Sequence, residues 1–258
     1  MGSLSVAPSA GKTRLRTLYQ DGCAKIRLPH THDQSLQAVL INTAGGLTGG
    51  DVLEWQAEAA EGSRLVLTTQ ACERIYRSLG DQARIATTIS AGENAHVDWL
   101  PQETILFENA RLTRTLDIDL AATATLTAIE AVLLGREAMG EGARNATLSD
   151  TWRIRRGGVL VHAEATRLSG TARQRDGLAL LDGALAFATI VHIAPDAGAR
   201  LDAVRALLPA EVHAGVSAIG ERLVLRATAQ SGLALRRIIA PVIAYLSGAG
   251  AVPRLWHL

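Results

Sequence analysis

Polar side chains able to bind a cation follow several of the apolar runs in this sequence. They carry hydroxyl, amide or carboxylate groups and are Thr68, Thr69, Gln70, Gln102, Glu103, Glu130, Glu137 and Glu141. Oxygen donors can hold a divalent ion loosely enough to release it, whereas clusters of Cys and His retain it. The alternative is simple exposure of these side chains at turns. The pattern therefore defines a candidate cation path.

Motifs typical of an enzyme are scarce. No HExxH or GxSxG string is present, so no hydrolytic base or nucleophile is predicted. Ser9–Thr13 is similar to the end of a phosphate-binding loop, but Val6 stands where that loop needs a glycine. His30 and His32 could face one metal ion, although a solvated loop is the stronger expectation because no other histidine is close. We predict a non-enzymatic protein with no permanently bound cofactor.

The glycine-rich segment Asn42–Asp51 is the most unusual local string. Its candidate partner-contact residues are Gly45, Gly46, Gly49, Gly50 and Asp51. Glycine permits a left-handed backbone and the close approach of another chain. The segment is predicted to be either a turn between strands or a loop that contacts a partner or an anion.

Composition excludes several classes of protein. The 258 residues carry a net charge of +1 with no basic block, which argues against nucleic acid as a partner. The apolar run Gly177–Ile193 is interrupted by Asp182 and is shorter than the roughly 18 residues of a membrane span. Met1–Gln20 lacks the apolar region of a secretion signal. We therefore expect a cytoplasmic protein that has no membrane span and keeps Cys23 and Cys72 reduced.

Residues 35–168 alternate between apolar and polar residues, which indicates half-buried strands. Similar strings recur at offsets of roughly 30 residues, a period typical of stacked repeats. The repeat predicts a mainly β, β-helix-like stack of strands, with an ordinary β-sandwich as the alternative. In such a stack Gln70, Gln102 and Glu130 would lie in one polar column.

The remainder of the chain predicts one hairpin and two helices. Gly157-Gly158 separates the two strands of a hairpin within Thr151–Leu168. Residues 199–208 and 232–246 have helical periodicity, and the second stretch contains Pro241. Leu181–Ile193 fits either a strand or a helix. Because no Pro- or Ser-rich linker is present, residues 1–258 are interpreted as a single domain.

Apolar residues near the C-terminus are flanked by arginines. The candidates for a partner contact here are Arg236, Arg237, Arg254 and Trp256. An apolar core with a charged rim is typical of a protein interface. The competing prediction is that the helix caps the stack of strands and covers an open edge.

Several strings, in this order, are similar to those of the UreD (UreH) family of urease accessory proteins. They are Asn42–Asp51, Leu67–Ala71, Ile75–Ser78, Leu100–Ile105, Leu134–Glu141 and Pro253–Trp256. Together they span nearly the whole chain, and the glycine-rich string and the string GREAMGE are the most specific. Cys72-Glu73-Arg74 departs from the smaller, more neutral stretch expected there.

The resemblance implies a mostly β stack with a few helices and no catalytic activity. It implies that the chain binds apo-urease and UreF, that UreF recruits the GTPase UreG, and that the accessory complex can form a dimer. A nickel ion would be bound only transiently, on its way to the urease active site. The alternative function is a β-helical polysaccharide-binding or lyase-like protein, although Phe, Trp and Tyr make up only 3% of the residues.

Overall fold

The computed structural model describes residues 1–31, 33–136, 139–169, 176–178 and 180–257. Within these ranges the strands form two sheets, and the first contains seven strands. In spatial order they are β14 (Val159–Leu168), β13 (Thr147–Arg156), β11 (Arg111–Leu120), β8 (Ala83–Ala91), β5 (Val52–Ala59), β1 (Gly2–Ser9) and β2 (Lys12–Gln20).

The second sheet contains ten strands in the described residues. Eight lie side by side: β16 (His213–Ile219), β17 (Arg222–Ala229), β15 (Ala186–Ile193), β12 (Thr125–Leu134), β9 (His96–Leu100), β6 (Arg64–Thr69), β4 (Leu36–Asn42) and β3 (Ala24–Arg27). Two short strands pair off this path, β10 (Thr104–Leu106) with β12 and β7 (Glu73–Ile75) with β10.

The chain passes repeatedly from one sheet to the other between β4 and β13. The second-sheet strands β4, β6, β9 and β12 are parallel neighbours, and so are the first-sheet strands β5, β8, β11 and β13. Leu65 lies beside Val97, which lies beside Leu126, so the repeat seen in the sequence is one coil of the stack. The predicted β-helix-like arrangement is confirmed.

Period-two alternation places the core between the sheets. On β11 the side chains of Leu112, Leu116 and Ile118 are buried inside, while those of Thr113, Thr115 and Asp117 point to the outer face. A second core lies on the other face of the second sheet, under the C-terminal helix. The stack therefore has an apolar interior and one helix-covered side.

Two helices and one 3₁₀ helix accompany the strands in the described residues. They are α1 (Leu201–Leu207), α2 (Gly232–Leu246) and the 3₁₀ helix Arg254–His257. The predicted helix at 232–246 is confirmed and runs through Pro241, whereas the one predicted at 199–208 is shorter. The hairpin around Gly157-Gly158 is also confirmed, and the ambiguous Leu181–Ile193 contains strand β15.

Strands also occur outside the range in which the sequence predicted them. Gly2–Ser9 and Lys12–Gln20 form an antiparallel hairpin, and its two turn residues, Ala10 and Gly11, both have positive φ. Ser9–Thr13, which is similar in sequence to the end of a phosphate-binding loop, is thus the turn of this hairpin with the adjoining strand ends. β16 and β17 form a further hairpin that extends the second sheet.

Candidate functional site

Three strands that follow one another in the chain each carry a charged residue at an inward position, where the other side chains of the strand are apolar. Arg114 interrupts the inward row of β11, Glu130 that of β12, and Asp150 that of β13. All three side chains are buried, with at most 5% of their surface exposed. They meet between the two sheets, and we call them the interior cluster.

Arg114 connects the two carboxylates of the interior cluster. Its Nε and Nη2 donate to Asp150 Oδ1 and Oδ2 at 3.1 and 2.6 Å, and its Nη1 donates to Glu130 Oε2 at 2.5 Å. Each carboxylate also accepts an indole N–H, Glu130 from Trp99 at 2.9 Å and Asp150 from Trp152 at 3.2 Å. Every charge in the cluster therefore has a buried partner, as burial requires.

The interior cluster has one guanidinium for two carboxyl groups. Burial by itself lowers the pKa of Arg114, but Asp150 and Glu130 outweigh this effect and raise its pKa. Burial raises the pKa of Glu130, an effect that Arg114 opposes and Asp150 reinforces. Burial thus favours the protonated form of the Glu130 carboxyl, and a cation could take the place of that proton.

A row of polar groups leads from the glycine-rich segment towards the interior cluster. Glu73 on β7 accepts a hydrogen bond from Asn42 Nδ2 at 3.0 Å. In the parallel ladder Glu73 lies beside Thr104, whose hydroxyl accepts from Arg114 Nη1 at 3.0 Å. Burial raises the pKa of Glu73 by more than the hydrogen bond from Asn42 lowers it, so that the pKa moves from 4.5 to about 7. The row joins two groups that favour a proton or a cation.

A cavity of about 220 Å³ lies at the outer end of this row. Asn42, Gln70, Cys72 and Glu73 are among the residues that line it. Its lining includes amides, a hydroxyl, a thiol and a carboxylate, together with the guanidinium of Arg74. The thiol is protonated because burial, with Glu103 adding to it, raises the pKa of Cys72 to about 11. The cavity therefore offers oxygen donors to an entering ion, next to one fixed cation, Arg74.

Gln102, Glu103 and Arg236 form a second polar group on the opposite face of the second sheet, and we call it the helix clamp. Arg236 on α2 donates to both oxygens of Glu103, at 2.6 and 2.7 Å, and to Gln102 Oε1 at 2.9 Å. Burial alone would raise the pKa of Glu103, but the hydrogen bonds and charge of Arg236 outweigh it and lower this pKa. The clamp fastens α2 to the ends of the strands.

Only part of the predicted polar column exists. Gln102 Nε2 donates to the carbonyl of Gln70 at 2.9 Å, and the backbone N–H of Gln102 donates to Thr69 Oγ1 at 2.9 Å. Thr68 is buried and donates to the carbonyl of Leu100 at 2.7 Å. Glu130, however, is buried inside the stack, where its carboxylate accepts from Trp99 and Arg114, whereas the side chain of Gln102 bonds Arg236 on α2. The prediction that Gln70, Gln102 and Glu130 share one column is therefore wrong.

The remaining candidates for the cation path lie apart from the interior cluster. Glu141 is half-buried, forms an ion pair with Arg136 at 2.5 Å and accepts the backbone N–H of Glu108. Glu137 and His32 lie outside the described residues. His30 is exposed. Among the described residues no group of three or more His, Cys, Asp or Glu side chains could hold a metal ion.

The glycine-rich segment is a turn at one edge of the stack. A Cβ on Gly46 would collide with the Tyr76 ring and lie 2.7 Å from the carbonyl oxygen of Arg74, and φ is +149° there. Gly49 has no positive φ, so the expectation of a left-handed backbone is wrong at this position. Its constraint is close approach, because a Cβ would collide with Ser78 Oγ and lie 2.6 Å from the carbonyl oxygen of Asp81.

The other residues of the segment complete the turn. Gly45 and Gly50 have φ of +80° and +91°. Exposed Asp51 accepts the backbone N–H of Thr48 at 2.8 Å. The structural-turn interpretation is supported, and the exposed residues remain candidates for a partner contact.

Trp256 is not a surface residue. It is 5% exposed, and its indole N–H donates to the carbonyl of Leu100 at 3.1 Å. The apolar face of α2, including Leu235 and Ile239, is buried against the second sheet as the capping alternative predicted. Trp256 is thus an anchor for the C-terminus, whereas Arg237 and Arg254 are exposed and remain candidates for a partner contact.

Two further properties bear on function. The four tryptophans, Trp55, Trp99, Trp152 and Trp256, are all buried, so none provides a stacking platform for a sugar ring. The burial of the tryptophans therefore does not favour the polysaccharide-binding or lyase-like alternative.

No helix in the described part of the chain is long and apolar enough to cross a membrane.

Residues 1–257 match the family model described as UreD urease accessory protein. The chain belongs to the UreD family. A protein of Chelativorans sp. (strain BNC1) named urease accessory protein UreD is 62% identical over 100% of this chain and 93% of its own length. UreD proteins of Sinorhizobium medicae (strain WSM419) and Agrobacterium fabrum (strain C58 / ATCC 33970) are 50% and 47% identical, over 100% and 96% of this chain and 95% and 87% of their own lengths. The suspected resemblance is confirmed.

The sequence of this UreD-family chain did not predict a role for Arg114, Asp150, Glu73 or Thr104. A signal for two of them was present, because Arg114 and Asp150 occupy inward positions between apolar residues of strands that are otherwise regular. A charge in the apolar phase of a strand indicates a buried ionic partner. Glu73 gave no such signal, since β7 has only three residues.

Proposed function

We propose that this UreD-family chain is a non-catalytic scaffold that binds apo-urease and UreF and helps pass nickel from the GTPase UreG to the urease active site. Membership of the family over the whole chain supports the accessory role. This role places the chain in the cytoplasm with its partners. Nickel is a transient cargo in this proposal and not a resident cofactor.

The observation that carries the nickel-transfer part is the interior cluster. Its one guanidinium serves two carboxyl groups, so ionisation of Glu130 leaves a buried negative charge without a full counterion. A buried unbalanced charge costs several kcal/mol, and a divalent cation would relieve that cost. Nickel would displace the proton that burial favours on Glu130.

The ligands along the proposed path suit transfer better than storage. Asn42, Gln70 and Glu73 at the cavity and Thr104 and Glu130 further inside offer oxygen atoms. Oxygen ligands bind Ni²⁺ less tightly than imidazole or thiolate ligands, so the ion can move on. The proposed path therefore runs from the cavity beside the glycine-rich segment, along Glu73 and Thr104, to the interior cluster.

The test separates assembly from transfer. Urease subunits, UreF and UreG are co-expressed with the wild-type chain, Glu130→Gln or Glu73→Gln, and the recovered complex and the nickel content of urease are measured. Glutamine keeps the shape of glutamate but not its charge, and at position 130 its single amide oxygen can accept from Trp99 or from Arg114 but not from both. We expect normal assembly and several-fold less nickel per urease active site. Glu58→Gln, on the exposed outer face of β5, is the matched control and leaves both unchanged.

Wild-type nickel content in both interior variants would remove the path through the cluster. The accessory role is tested by a separate experiment, because it predicts that urease lacks nickel when the whole chain is absent. Loss of complex recovery in Glu130→Gln would instead assign the cluster a purely structural role.

A further inference from the structure

A cavity of about 450 Å³ lies at one end of the stack, where the two sheets meet. Arg156 at the end of β13 and Val161 on β14 line it from the first sheet. Ile193 at the end of β15, Ile219 at the end of β16 and Arg222 at the start of β17 line it from the second. The residues of the proposed nickel path are not among its lining. The cavity is therefore a separate candidate for binding.

The lining of this cavity contains two guanidinium groups, of Arg156 and Arg222, and one carboxylate, of Glu221. Only 10% of the Arg156 side chain is exposed, and its Nη1 donates to Glu221, of which 57% is exposed. Glu93 also attracts Arg156, but it is fully exposed and bonded to Thr123. Carboxylates in contact with water are weak counterions for a second cation. The lining thus has an excess of one positive charge, which suits a monovalent anion.

Arg222 has an N–H group that lacks an acceptor in the described residues. Its Nη1 donates to the carbonyl of Val161, but its Nε is buried and has no hydrogen-bond partner among them. A buried N–H without an acceptor is unfavourable and is rare in folded proteins. Nε and Nη2 lie on the same edge of the planar guanidinium, so an anion that satisfies Nε can bind Nη2 as well.

Arg114 of the interior cluster shows what this edge of a guanidinium binds. Its Nε and Nη2 donate to the two oxygens of Asp150, at 3.1 and 2.6 Å. A carboxylate matches the two parallel N–H groups in both spacing and charge. Because Nε of Arg222 is buried, its side chain has to turn towards the cavity to bind a carboxylate in this way. Among its hydrogen bonds to described residues, only the one to Val161 opposes this movement.

Aliphatic side chains form the rest of the cavity wall. Val161 is half-buried, Ile193 is buried, and Ile219 has 68% of its surface exposed. An apolar group of a ligand would cover the exposed isoleucine and remove its surface from water. Inorganic phosphate has no such group and carries more than one negative charge in its dianionic form. The wall therefore favours a carboxylate attached to a branched aliphatic group.

We propose that this cavity binds an organic carboxylate that has one negative charge and a branched aliphatic group. The carboxylate binds the Nε and Nη2 edge of Arg222, and Arg156 adds a second positive charge beside it. The aliphatic group packs against Val161, Ile193 and Ile219. A free branched-chain acid and the C-terminal residue of a protein chain both have this chemistry.

A ligand-observed NMR titration of the purified full chain with 4-methylpentanoate tests the site. We expect a dissociation constant of about 10 mM or less, as is usual for a ligand of this size in a preformed cavity. The amide 4-methylpentanamide has the same shape without the charge and should bind at least about fivefold more weakly. Equal binding of acid and amide would contradict a role for the guanidinium groups.

Arg222→Gln should raise the dissociation constant of 4-methylpentanoate at least about fivefold, because glutamine has neither the charge nor the fork of N–H groups. Arg226→Gln is the matched control and should leave binding unchanged. Arg226 lies on the same strand, but it is exposed, pairs with Glu164 and is not part of the cavity lining.

Ile219→Glu tests the site while keeping both arginines. Ile219 is exposed, so the substitution should leave the fold intact, which thermal unfolding checks. The new carboxylate competes with the ligand for the guanidinium groups and should also raise its dissociation constant at least about fivefold. Ile219→Gln removes the same aliphatic contact without adding a charge and should have the smaller effect.

N-acetyl-leucine distinguishes the two sources of the carboxylate. It has an amide beside the carboxylate, as the C-terminal residue of a protein chain does, whereas 4-methylpentanoate does not. Tighter binding of N-acetyl-leucine would assign the cavity to a chain terminus. Tighter binding of 4-methylpentanoate would assign it to a free acid.

Failure of both acids to bind the wild-type chain in the titrated range would overturn the proposal. Binding that neither Arg222→Gln nor Ile219→Glu weakens would overturn it too, since the ligand would then occupy another surface. Inorganic phosphate that binds as tightly as 4-methylpentanoate would contradict the assignment to a carboxylate. None of these results bears on nickel delivery, which is measured on urease.

Discussion

Arg114 on β11 and Glu130 on β12 belong to different sheets, yet Nη1 of the arginine lies 2.5 Å from Oε2 of the glutamate. Asp150, next to Arg114 in the first sheet, holds the other side of the guanidinium. The ion pairs therefore fix the spacing of the sheets at one level of an otherwise apolar stack.

Arg114→Met should destabilise the fold strongly. The substitution leaves Glu130 and Asp150 buried without their cation, and breaking a buried ion pair in this way costs about 3–5 kcal/mol. Urea denaturation measures the loss in the free energy of unfolding. Arg84→Met, on the exposed face of β8, serves as control and should change it by less than about 0.5 kcal/mol. Equal stabilities would show that the cluster does not hold the sheets together.

Glu73 should make the stability depend on pH. Folding raises the pKa of its carboxyl from 4.5 to about 7, so the protonated form favours the folded state. This contribution is fully present below about pH 4.5 and is lost as the pH rises through about 7. Its size is on the order of 2 kcal/mol, allowing for the partial exposure of the side chain.

The comparison of wild type with Glu73→Gln isolates this effect. Denaturation midpoints between pH 5 and pH 8 should fall less steeply with rising pH in the variant, because glutamine does not titrate. Glu103 contributes in the opposite direction, since its lowered pKa gives stability that is lost on acidification, and it is the same in both proteins. Parallel pH profiles would contradict the raised pKa of Glu73.

Gly49→Val should disrupt the turn at the edge of the stack. The valine side chain would collide with Ser78 and with the backbone at Asp81, and such overpacking typically costs about 1–3 kcal/mol. Gly80→Val is the matched control, because a Cβ there meets no atom within 4 Å and φ is not positive. Thermal unfolding of the two variants provides the test, and equal melting temperatures would count against close packing at Gly49.

Trp256→Ala should loosen the C-terminus. It removes a buried indole and its hydrogen bond to Leu100, a change that costs about 3–5 kcal/mol in a packed site. The exposed Arg254→Ala should have little effect on stability. Hydrogen exchange of the amides in α2 is the appropriate measurement, and unchanged protection in Trp256→Ala would show that the helix clamp alone holds the helix.

The sequence predicted the stack because its signals were local and repeated. The alternation of Leu112, Leu116 and Ile118 on β11 shows which face is buried, and the offset between Leu65 and Val97 shows which strands are neighbours. The hairpin of β1 and β2 was not predicted, because its turn, Ala10-Gly11, lies in a string similar to the end of a phosphate-binding loop.

The candidate site was predicted less well because it depends on register. The interior cluster needs Glu130 to lie opposite Arg114 across the core, and the repeat offset alone placed Glu130 beside Gln102 on the other face. A shift of one residue moves a side chain to the opposite face of a sheet. The anchoring role of Trp256 could not be predicted either, since its hydrogen bond to Leu100 joins residues that are far apart in the chain.

The nickel content of urease tests the central claim most directly. Urease is purified from cells that lack this chain and from the same cells after its re-expression, at ordinary nickel supply in the medium. We expect urease protein that is present but nickel-poor and nearly inactive without the chain, and nickel-loaded and active with it. Normal nickel content in urease from cells that lack the chain would contradict a role in nickel delivery.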